Sequence, residues 1–328
     1  MKSDKYHFIR AGLAAICVSA CGWATAQASY PERPIRLVVG FAAGSTSDMV
    51  ARAVVDQLAQ RLGQPVVIEN KPGAGGNIAA EAVAQSKPDG YTLLLGTSAL
   101  STNAALRPGG KLLPARDLDS IAILASTQSV LTVSERMPFK DYSDFVRYAK
   151  EHPGAINYGS SGVGGGNHLM TELLSQEAGI KLAHIPFAGN SQANAALLGG
   201  TIDVMFDTML GAKQTVSTGK VRAVGITGSR RSPHMPGVPT FVELGVNRLG
   251  FDYVVGAILA PKGTPAKVLD LLHEQSNLAL QEPAVKKRLE ETGGLQIGGG
   301  PREKFIREMK SDTEMWSEIV KSAGIKAD

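Results

Sequence analysis

The chain has 328 residues, of which 43% are hydrophobic and 20% are charged. This composition is that of a globular protein and excludes disordered, collagenous and coiled-coil classes, while the length predicts about two domains. The formal net charge is only +4 and 5% of the residues are aromatic, so nothing indicates a nucleic-acid partner.

The N-terminus has the order of a secretory signal. Lys2, Lys5 and Arg10 precede an apolar stretch over residues 11–20, and small residues follow at Ala26 and Ala28. We therefore predict a signal peptide over residues 1–28 and an exported mature protein. The apolar stretch is shorter than the roughly 20 residues that a membrane-spanning helix needs.

Both cysteines, Cys17 and Cys21, fall inside the predicted leader. The mature chain is therefore expected to hold no internal disulfide and no thiolate metal site, which for an exported protein indicates a bacterial periplasm. The segment Val18-Ser19-Ala20-Cys21 resembles a lipobox, so the alternative to ordinary cleavage is lipidation at Cys21 and anchoring to a membrane.

After the leader, short β-branched runs alternate with segments of helical period, which is the pattern of parallel sheets with crossover helices. The predicted strands cover residues 35–39, 66–69, 91–95, 156–158, 182–185, 204–206, 221–226 and 254–260. The predicted helices cover residues 78–84, 142–150, 169–178, 193–198 and 265–280, with others from Pro283 and from Pro301. These series predict two α/β units, and the pattern leaves open which unit takes the third stretch from residue 254.

The first helix is predicted from the spacing of Val50, Val54, Leu58 and Leu62, which places them on one buried stripe. Ser45 and Asp48 stand three residues apart at its start, as in a capping box. For Asp48, capping of the helix and contact with a ligand remain alternatives.

Two loops rich in glycine and serine follow predicted strands and end at predicted helices. Loop 1 covers residues 41–48 and loop 2 covers residues 158–168. At a helix N-terminus, unpaired N–H groups and the helix dipole favour an anion, and glycine lets the backbone approach it. Because ligands of open α/β sheets bind outside the carboxyl ends of the strands, we predict an anion site at the two loops. Tight turn geometry alone is the alternative for each loop.

Other chemistries fit the sequence less well. A P-loop would need Gly-Lys-Ser/Thr where loops 1 and 2 end in Ser47-Asp48 and Asn167-His168. A hydrolase could draw on Ser161, His168 and Asp207, but Val163 breaks the Gly-x-Ser-x-Gly elbow. The histidines lack the spacing of metal ligands, and we interpret His168 as a capping or packing residue rather than a base.

Several segments in combination resemble the Bug family, the periplasmic substrate-binding proteins of tripartite tricarboxylate transporters, over nearly all of the mature chain. The similarity is carried by Tyr30-Pro31-Glu32-Arg33-Pro34-Ile35, by Gln64-Pro65-Val66-Val67-Ile68-Glu69-Asn70-Lys71-Pro72-Gly73-Ala74-Gly75-Gly76-Asn77 and by Pro88-Asp89-Gly90-Tyr91-Thr92-Leu93-Leu94-Leu95-Gly96-Thr97. Further along, it is carried by Asn157-Tyr158-Gly159-Ser160, by Ile202-Asp203-Val204-Met205-Phe206-Asp207 and by Ala260-Pro261-Lys262-Gly263-Thr264-Pro265.

The resemblance implies an α/β, two-lobed clamshell of the type II-like periplasmic binding class, with a ligand cleft between its lobes. Lobe 1 would cover residues 29–127 plus 252–328, and lobe 2 residues 128–251. The protein would capture a small organic carboxylate as a monomer and deliver it to membrane permease subunits. It would have no enzymatic activity, cofactor or metal.

By position, the resemblance also implies the ligand-binding residues. In the first lobe these are Ala42, Ala43, Gly44, Ser45 and Thr46, and in the second lobe Ser160, Ser161, Gly164, Gly165, Asn167 and His168. Asp48 is a further candidate because of its place at the start of the first helix. Further lining candidates are Thr97, Ser98, Phe187 and Asp207.

The sequence departs from the family pattern near the predicted cleft. Ala43 stands at a common proline, Ser45 at a common glycine, Gly165 at a frequent serine, and Phe187-Ala188 at a frequent Tyr-Lys. The last two departures remove a hydroxyl group and a positive charge, which favours an aromatic or less charged carboxylate. Two other functions remain as alternatives: a sensor that presents its closed form to a membrane kinase, and an α/β hydrolase-like enzyme.

Overall fold

The computed structural model describes residues 30–291 and 294–326. The predicted signal peptide, with Cys17 and Cys21, lies outside the described residues. Among the described residues, no helix combines the length and the apolar character that crossing a bilayer requires.

Strands and helices alternate along most of the chain. The strands are β1 (Ile35–Val39), β2 (Val66–Asn70), β3 (Thr92–Gly96), β4 (Leu118–Thr127), β5 (Ser129–Ser134), β6 (Asn157–Ser160), β7 (Ala183–Pro186), β8 (Val204–Thr208), β9 (Val221–Ile226), β10 (Tyr253–Pro261) and β11 (Leu295–Ile297). The helices are α1 (Thr46–Leu62), α2 (Asn77–Ala84), α3 (Ala99–Leu106), α4 (Pro114–Asp117), α5 (Tyr142–Glu151), α6 (Gly166–Ala178), α7 (Asn190–Gly199), α8 (Met209–Val216), α9 (Ala266–Gln281), α10 (Pro283–Glu291) and α11 (Lys304–Ser322). Short 3-10 helices cover Ala74–Gly76 and Asn247–Leu249.

The strands form two sheets of similar topology, one with six strands and one with five. Sheet A has the order β11-β4-β10-β3-β1-β2 and sheet B the order β7-β6-β8-β5-β9. In sheet A the strands β2, β1 and β3 are parallel neighbours, and the antiparallel strand β10 pairs with β3. In sheet B the strands β7, β6 and β8 are parallel neighbours, and the antiparallel strand β5 pairs with β8. The stretch from residue 254, which the sequence pattern could not place, belongs to sheet A as β10.

Apolar side chains cover both faces of sheet A. On one face Val50, Val54 and Leu58 of α1 pack with α9 and α10 against β1, β3 and β4. On the other face α2 and the first part of α11 pack against β3, β4 and β10. The stripe predicted from the sequence for α1 is therefore confirmed, because Val50, Val54 and Leu58 are each at most 1% exposed.

Sheet B has its own apolar core, in which α5 and α6 pack against β5, β6 and β8. Helix α11 reaches both cores: Phe305 and Met309 pack with sheet A, whereas Trp316 and Ile319 pack with the sheet B core. The chain passes from one sheet to the other at Gln128, between β4 and β5, and returns between β9 and β10. The lobe limits at 127/128 and 251/252 stay a prediction.

Candidate ligand-binding site

Three helices of the sheet B unit begin at one edge of that sheet. Strands β6, β7 and β8 are parallel, so their carboxyl ends lie together. The helices that follow, α6, α7 and α8, have Gly165, Gly189 and Thr208 as their N-caps. Each helix N-terminus carries roughly half a positive charge from its backbone dipoles, so the edge as a whole favours an anion.

A cavity of about 180 Å³ lies at this edge, between the two sheets. It is small beside the roughly 300–1,000 Å³ of sites for drug-sized ligands, and so suits a small molecule. Sheet A supplies Thr127, Tyr253 and Val255 to its lining; the sheet B unit supplies Ser129, Ser161, Gly166, Asn167, Met170, Asn190, Phe206, Asp207 and Thr208. Of the residues predicted from the sequence, the structure brings Ser161, Asn167 and Asp207 together here.

Asn167 holds loop 2 in place. Its side-chain oxygen accepts hydrogen bonds from the backbone N–H of Ser161 at 3.2 Å and from the Ser161 hydroxyl at 3.0 Å. Its amide group donates to Asn190 Oδ1 at 3.0 Å, which joins the starts of α6 and α7. Within the described residues, the backbone N–H groups of Gly166 and Asn167 have no partner, as expected in a first helical turn. They are available donors beside the cavity.

Beneath loop 2 lies a stack of aromatic rings. The rings of His168 and His184 have centroids 3.9 Å apart, and His184 also stacks on Tyr158. Because His168 Nδ1 accepts a hydrogen bond from the backbone N–H of Gly164 at 2.9 Å, we assign the ring proton to Nε2. Burial, with a further contribution from His184, lowers the pKa of His168 to about 4, so the ring is neutral at pH 7. His168 therefore packs within this stack and its Nδ1 atom is occupied by loop 2; its prediction as a ligand contact stays untested.

Asp207 is the one carboxylate among the described residues that line the cavity. It is 2% exposed, and its oxygens accept hydrogen bonds from Asn194 Nδ2 at 2.9 Å and from the backbone N–H of Thr208 at 2.8 Å. Burial raises the pKa of Asp207 above its ordinary value, although these two hydrogen bonds oppose the change.

The three residues of the hydrolase alternative have other partners. Ser161 hydrogen-bonds to Asn167, His168 to Gly164, and Asp207 to Asn194 and Thr208. No hydrogen bond links Ser161, His168 and Asp207 to one another among the described residues. A nucleophile–base–acid chain needs such links, so the geometry gives no support to this alternative.

Loop 1 lies next to the cavity without lining it. Ala42, Ala43, Gly44 and Thr46 are exposed. The following residue, Ser47, donates its hydroxyl to the carbonyl oxygen of Val255 at 2.8 Å, and Val255 does line the cavity. The start of α1 therefore abuts the sheet A side of the cavity.

The predicted cap of α1 is confirmed, with a variation. Ser45 Oγ accepts from the backbone N–H of Asp48 at 3.3 Å, but the Asp48 carboxylate reaches back to Gly44 N at 2.9 Å instead of to Ser45. It also accepts from Arg52 Nε at 2.8 Å and from Asn70 Nδ2 at 2.9 Å. Asp48 therefore acts as a structural clamp for loop 1; its prediction as a ligand contact stays untested.

The Asp48 clamp makes stability depend on pH. Burial opposes ionisation, but hydrogen bonds from Arg52, Gly44 and Asn70 prevail and lower the pKa of Asp48 to about 2. The clamp therefore stabilises the fold fully above the unfolded pKa of roughly 4, and its contribution is lost as the pH falls from about 4 to 2. We expect Asp48→Asn to lower the free energy of unfolding by about 2 kcal/mol at pH 7 and by almost nothing near pH 2.

Urea denaturation at several pH values checks this prediction. Asp56→Asn is the matched control, because it removes a carboxylate of the same helix whose side chain is 67% exposed. It should change stability by less than about 0.5 kcal/mol. An equal loss in the two variants at pH 7 would contradict the clamp.

Several predicted site residues lie outside the cavity. The Ser160 hydroxyl contacts His184 Nε2 at 2.7 Å, and the Ser98 hydroxyl accepts from the backbone N–H of Val254 at 2.9 Å. Thr97 Oγ1 accepts from the N–H of Ala99. Phe187 packs against Ile202 and its neighbours. In loop 2, Gly164 and Gly165 shape the turn before α6, while Ser161 faces the cavity.

The sequence analysis missed Asn190, Thr208 and Tyr253. Asn190 and Thr208 start α7 and cap α8, so they occupy the same strand-to-helix position as loop 2, which a search of every such junction would have found. Tyr253 comes from sheet A, and burial raises its pKa to about 12, although a hydrogen bond with Thr97 opposes the change. Its hydroxyl therefore remains a hydrogen-bond donor at neutral pH. No cluster of three metal-ligating side chains occurs in the described part of the chain.

Comparisons with known proteins agree with this geometry. The family model described as tripartite tricarboxylate transporter family receptor matches residues 50–325. Protein BugT of Bordetella pertussis is 33% identical over 305 residues, which are 91% of each chain. The structure of R. palustris Rpa4515 with adipate has a TM-score of 0.74 and 30% identity, covering 90% of this chain and 99% of that one. MatC of Rhodopseudomonas palustris with bound malate has a TM-score of 0.71 and 31% identity, covering 89% and 100%. These similarities confirm the predicted two-lobed α/β fold and indicate a binding receptor rather than an enzyme.

Proposed function

The chain belongs to the tripartite tricarboxylate transporter receptor family, and from this membership we propose that it captures a small carboxylate in the periplasm and delivers it to the permease subunits of such a transporter. The observation that carries the proposal is the cavity between the two sheets, with the starts of α6, α7 and α8 at one edge. The structures of relatives with adipate and malate support a carboxylate as the ligand.

In the proposed complex, a carboxylate accepts hydrogen bonds from the free N–H groups of Gly166 and Asn167 and from hydroxyl groups of the lining. Each hydrogen bond to a charged group contributes about 1.5–3 kcal/mol. Three or four of them, less the cost of ordering and closure, are enough for the roughly 8 kcal/mol of a micromolar complex. Binding therefore needs no metal or covalent step.

Closure of the two lobes would complete the site. Loop 1, whose residues Ala42, Ala43, Gly44 and Thr46 are exposed, belongs to the sheet A unit, and Ser47 already abuts the cavity lining at Val255. Rotation about the two crossings, near residues 128 and 251, would bring loop 1 onto a carboxylate that loop 2 holds. The ligand then shifts the population toward the closed form, which the permease would recognise.

Ser161→Ala tests the site. The substitution removes the hydroxyl at the cavity wall but leaves the backbone of loop 2, so we expect a two- to tenfold weaker affinity for the carboxylate that binds wild type best. Isothermal titration calorimetry with a panel of mono- and dicarboxylates measures the change. Ser311→Ala, on the exposed side of α11, is the control. An affinity that stays equal to that of Ser311→Ala would argue against loop 2 as the site.

Small-angle scattering tests the closing motion independently of any variant. A ligand that binds in calorimetry should reduce the radius of gyration of the protein. Binding without compaction would show that capture does not involve lobe closure. Transport itself would be checked by uptake of the same acid into vesicles that hold the permease, with and without the receptor.

A further inference from the structure

The lining of the cavity has a polar part and an apolar part. The polar part at the helix starts is joined by hydrogen bonds, since Asn167 bonds to the Ser161 hydroxyl and to the Asn190 side chain. The apolar part is formed by Met170, Phe206, Tyr253 and Val255. A ligand with its carboxylate at the start of α6 would lay its carbon chain against these apolar side chains, and burial of each methylene group would strengthen binding about fourfold.

Three of these four apolar side chains are held in place. Phe206 is fully buried in the core of the sheet B unit. Val255 is branched at Cβ and lies in β10, which leaves it few rotamers. The Tyr253 ring has its Cε2 atom 3.5 Å from where a Cβ atom on Gly166 would stand, and its hydroxyl shares a hydrogen bond with Thr97. These three side chains therefore form rigid walls.

Met170 differs from the other three because its side chain is long, unbranched and adaptable. It follows Gly166 by four residues in α6, so the two residues lie on one face of the helix, about one turn apart. Side chains of a helix lean toward its N-terminus. Met170 therefore covers the space beside the free N–H groups of Gly166 and Asn167, and a carbon chain that leaves a carboxylate bound there soon meets Met170.

We propose that Met170 limits the length of the ligand's carbon chain, so that this receptor selects short acids. The inference rests on the proposed function and names a residue that discriminates among carboxylates. The cavity holds only about 180 Å³, so a side chain in the path of the carbon chain decides which lengths fit. Replacing Met170 by alanine removes Cγ, Sδ and Cε, and the surrounding core fills such a space only in part. An apolar space of this kind stays dry and accepts an apolar guest, here the end of a longer acid.

Calorimetry with acids of graded length tests the inference. The probes are the straight-chain monocarboxylates from propanoate to octanoate and the dicarboxylates from malonate to suberate, and the series that binds wild type more tightly is used. For wild type we expect the affinity to rise about fourfold per methylene group and then to fall once the chain reaches Met170. In Met170→Ala the fall should come about two or three carbons later. Met170→Leu, which nearly conserves the side-chain volume, should move it by at most about one carbon.

Met315→Ala is the control, because Met315 is a half-buried methionine that packs against the sheet B core outside the cavity lining. It should cost stability but keep the wild-type order of chain lengths. An unchanged order in Met170→Ala, or an equal shift in Met315→Ala, overturns the inference. If Met170→Ala does not fold, the smaller deletion Met170→Val decides, with an expected shift of about one carbon and no shift as the contrary result.

The wild-type series separates this inference from the proposed function. An affinity that keeps rising up to octanoate or suberate would show that no side chain limits the chain length, which overturns the inference and leaves carboxylate capture intact. The same holds if neither series binds but another carboxylate does. If no carboxylate binds wild type, the proposed function itself fails.

Discussion

Replacing Asn167 by alanine should weaken carboxylate binding by about a hundredfold. The side chain of Asn167 holds Ser161 through two hydrogen bonds and joins α6 to α7 through Asn190. Without this side chain, the N–H groups at the start of α6 lose their fixed direction, and the half-buried Ser161 N–H loses its acceptor. The loss of affinity corresponds to about 2–3 kcal/mol, and a loss of unfolding free energy of about 1–3 kcal/mol accompanies it.

Calorimetry and urea denaturation of Asn167→Ala measure the two effects separately. Asn247→Ala is the matched control, because Asn247 is an exposed residue of the same sheet B unit. It should bind as wild type does. If Asn167→Ala is destabilised but binds with wild-type affinity, loop 2 has a structural role and the carboxylate is held elsewhere.

Gly164→Val should be among the most damaging single changes in loop 2. Gly164 has a φ of 74°, a backbone conformation that costs a side-chain-bearing residue about 1–2 kcal/mol and is least suited to a β-branched one. A Cβ atom there would also stand 2.6 Å from a methyl group of Leu106 at the end of α3. Overpacking of this kind costs roughly 1–3 kcal/mol. We expect a total loss of about 2–5 kcal/mol of unfolding free energy, and no detectable carboxylate binding.

A second glycine, Gly154, separates the backbone cost of Gly164→Val from the cost of its overlap with Leu106. Gly154 has a φ of 78° and nothing within 4 Å of a Cβ atom, so Gly154→Val should show only the backbone cost. In a double-mutant cycle, Leu106→Ala should relieve part of the damage of Gly164→Val, because it removes the atoms that overlap. Equal losses in the two glycine variants, with no relief from Leu106→Ala, would mean that α3 does not press on loop 2.

Strands and helices with a clear pattern of apolar residues could be predicted from the sequence, and those without such a pattern could not. The β-branched runs of β1 and β9 were predicted with the bounds that the structure shows, Ile35–Val39 and Val221–Ile226. By contrast, β4 and β5 were missed. All six residues of β5 are buried, so the alternation that marks a half-exposed strand is absent. Only Gln128 separates β5 from β4, which hides the point where the chain changes sheets.

The part of the site that lies in loop 2 could be predicted, because the residue types within that loop determine it. Glycine, serine and a helix start identify loop 2, and Ser161 and Asn167 do line the cavity. The sheet A contribution could not be read locally, because Tyr253 and Val255 reach the cavity through an antiparallel strand that joins its sheet from far along the chain. Loop 1 has the same residue types as loop 2 at the same kind of strand-to-helix junction, yet it lies beside the cavity. It belongs to the sheet A unit, and the local sequence does not say how the two units pack.

The most direct test is a crystal structure of the protein with the acid that binds it most tightly. The bound carboxylate should lie in the cavity between the sheets, with an oxygen within about 3.2 Å of the backbone nitrogen of Gly166 or Asn167, and loop 1 should close onto it from the other lobe. A ligand held on one lobe alone, or outside this cavity, would contradict the proposal that the two lobes enclose a carboxylate at the start of α6.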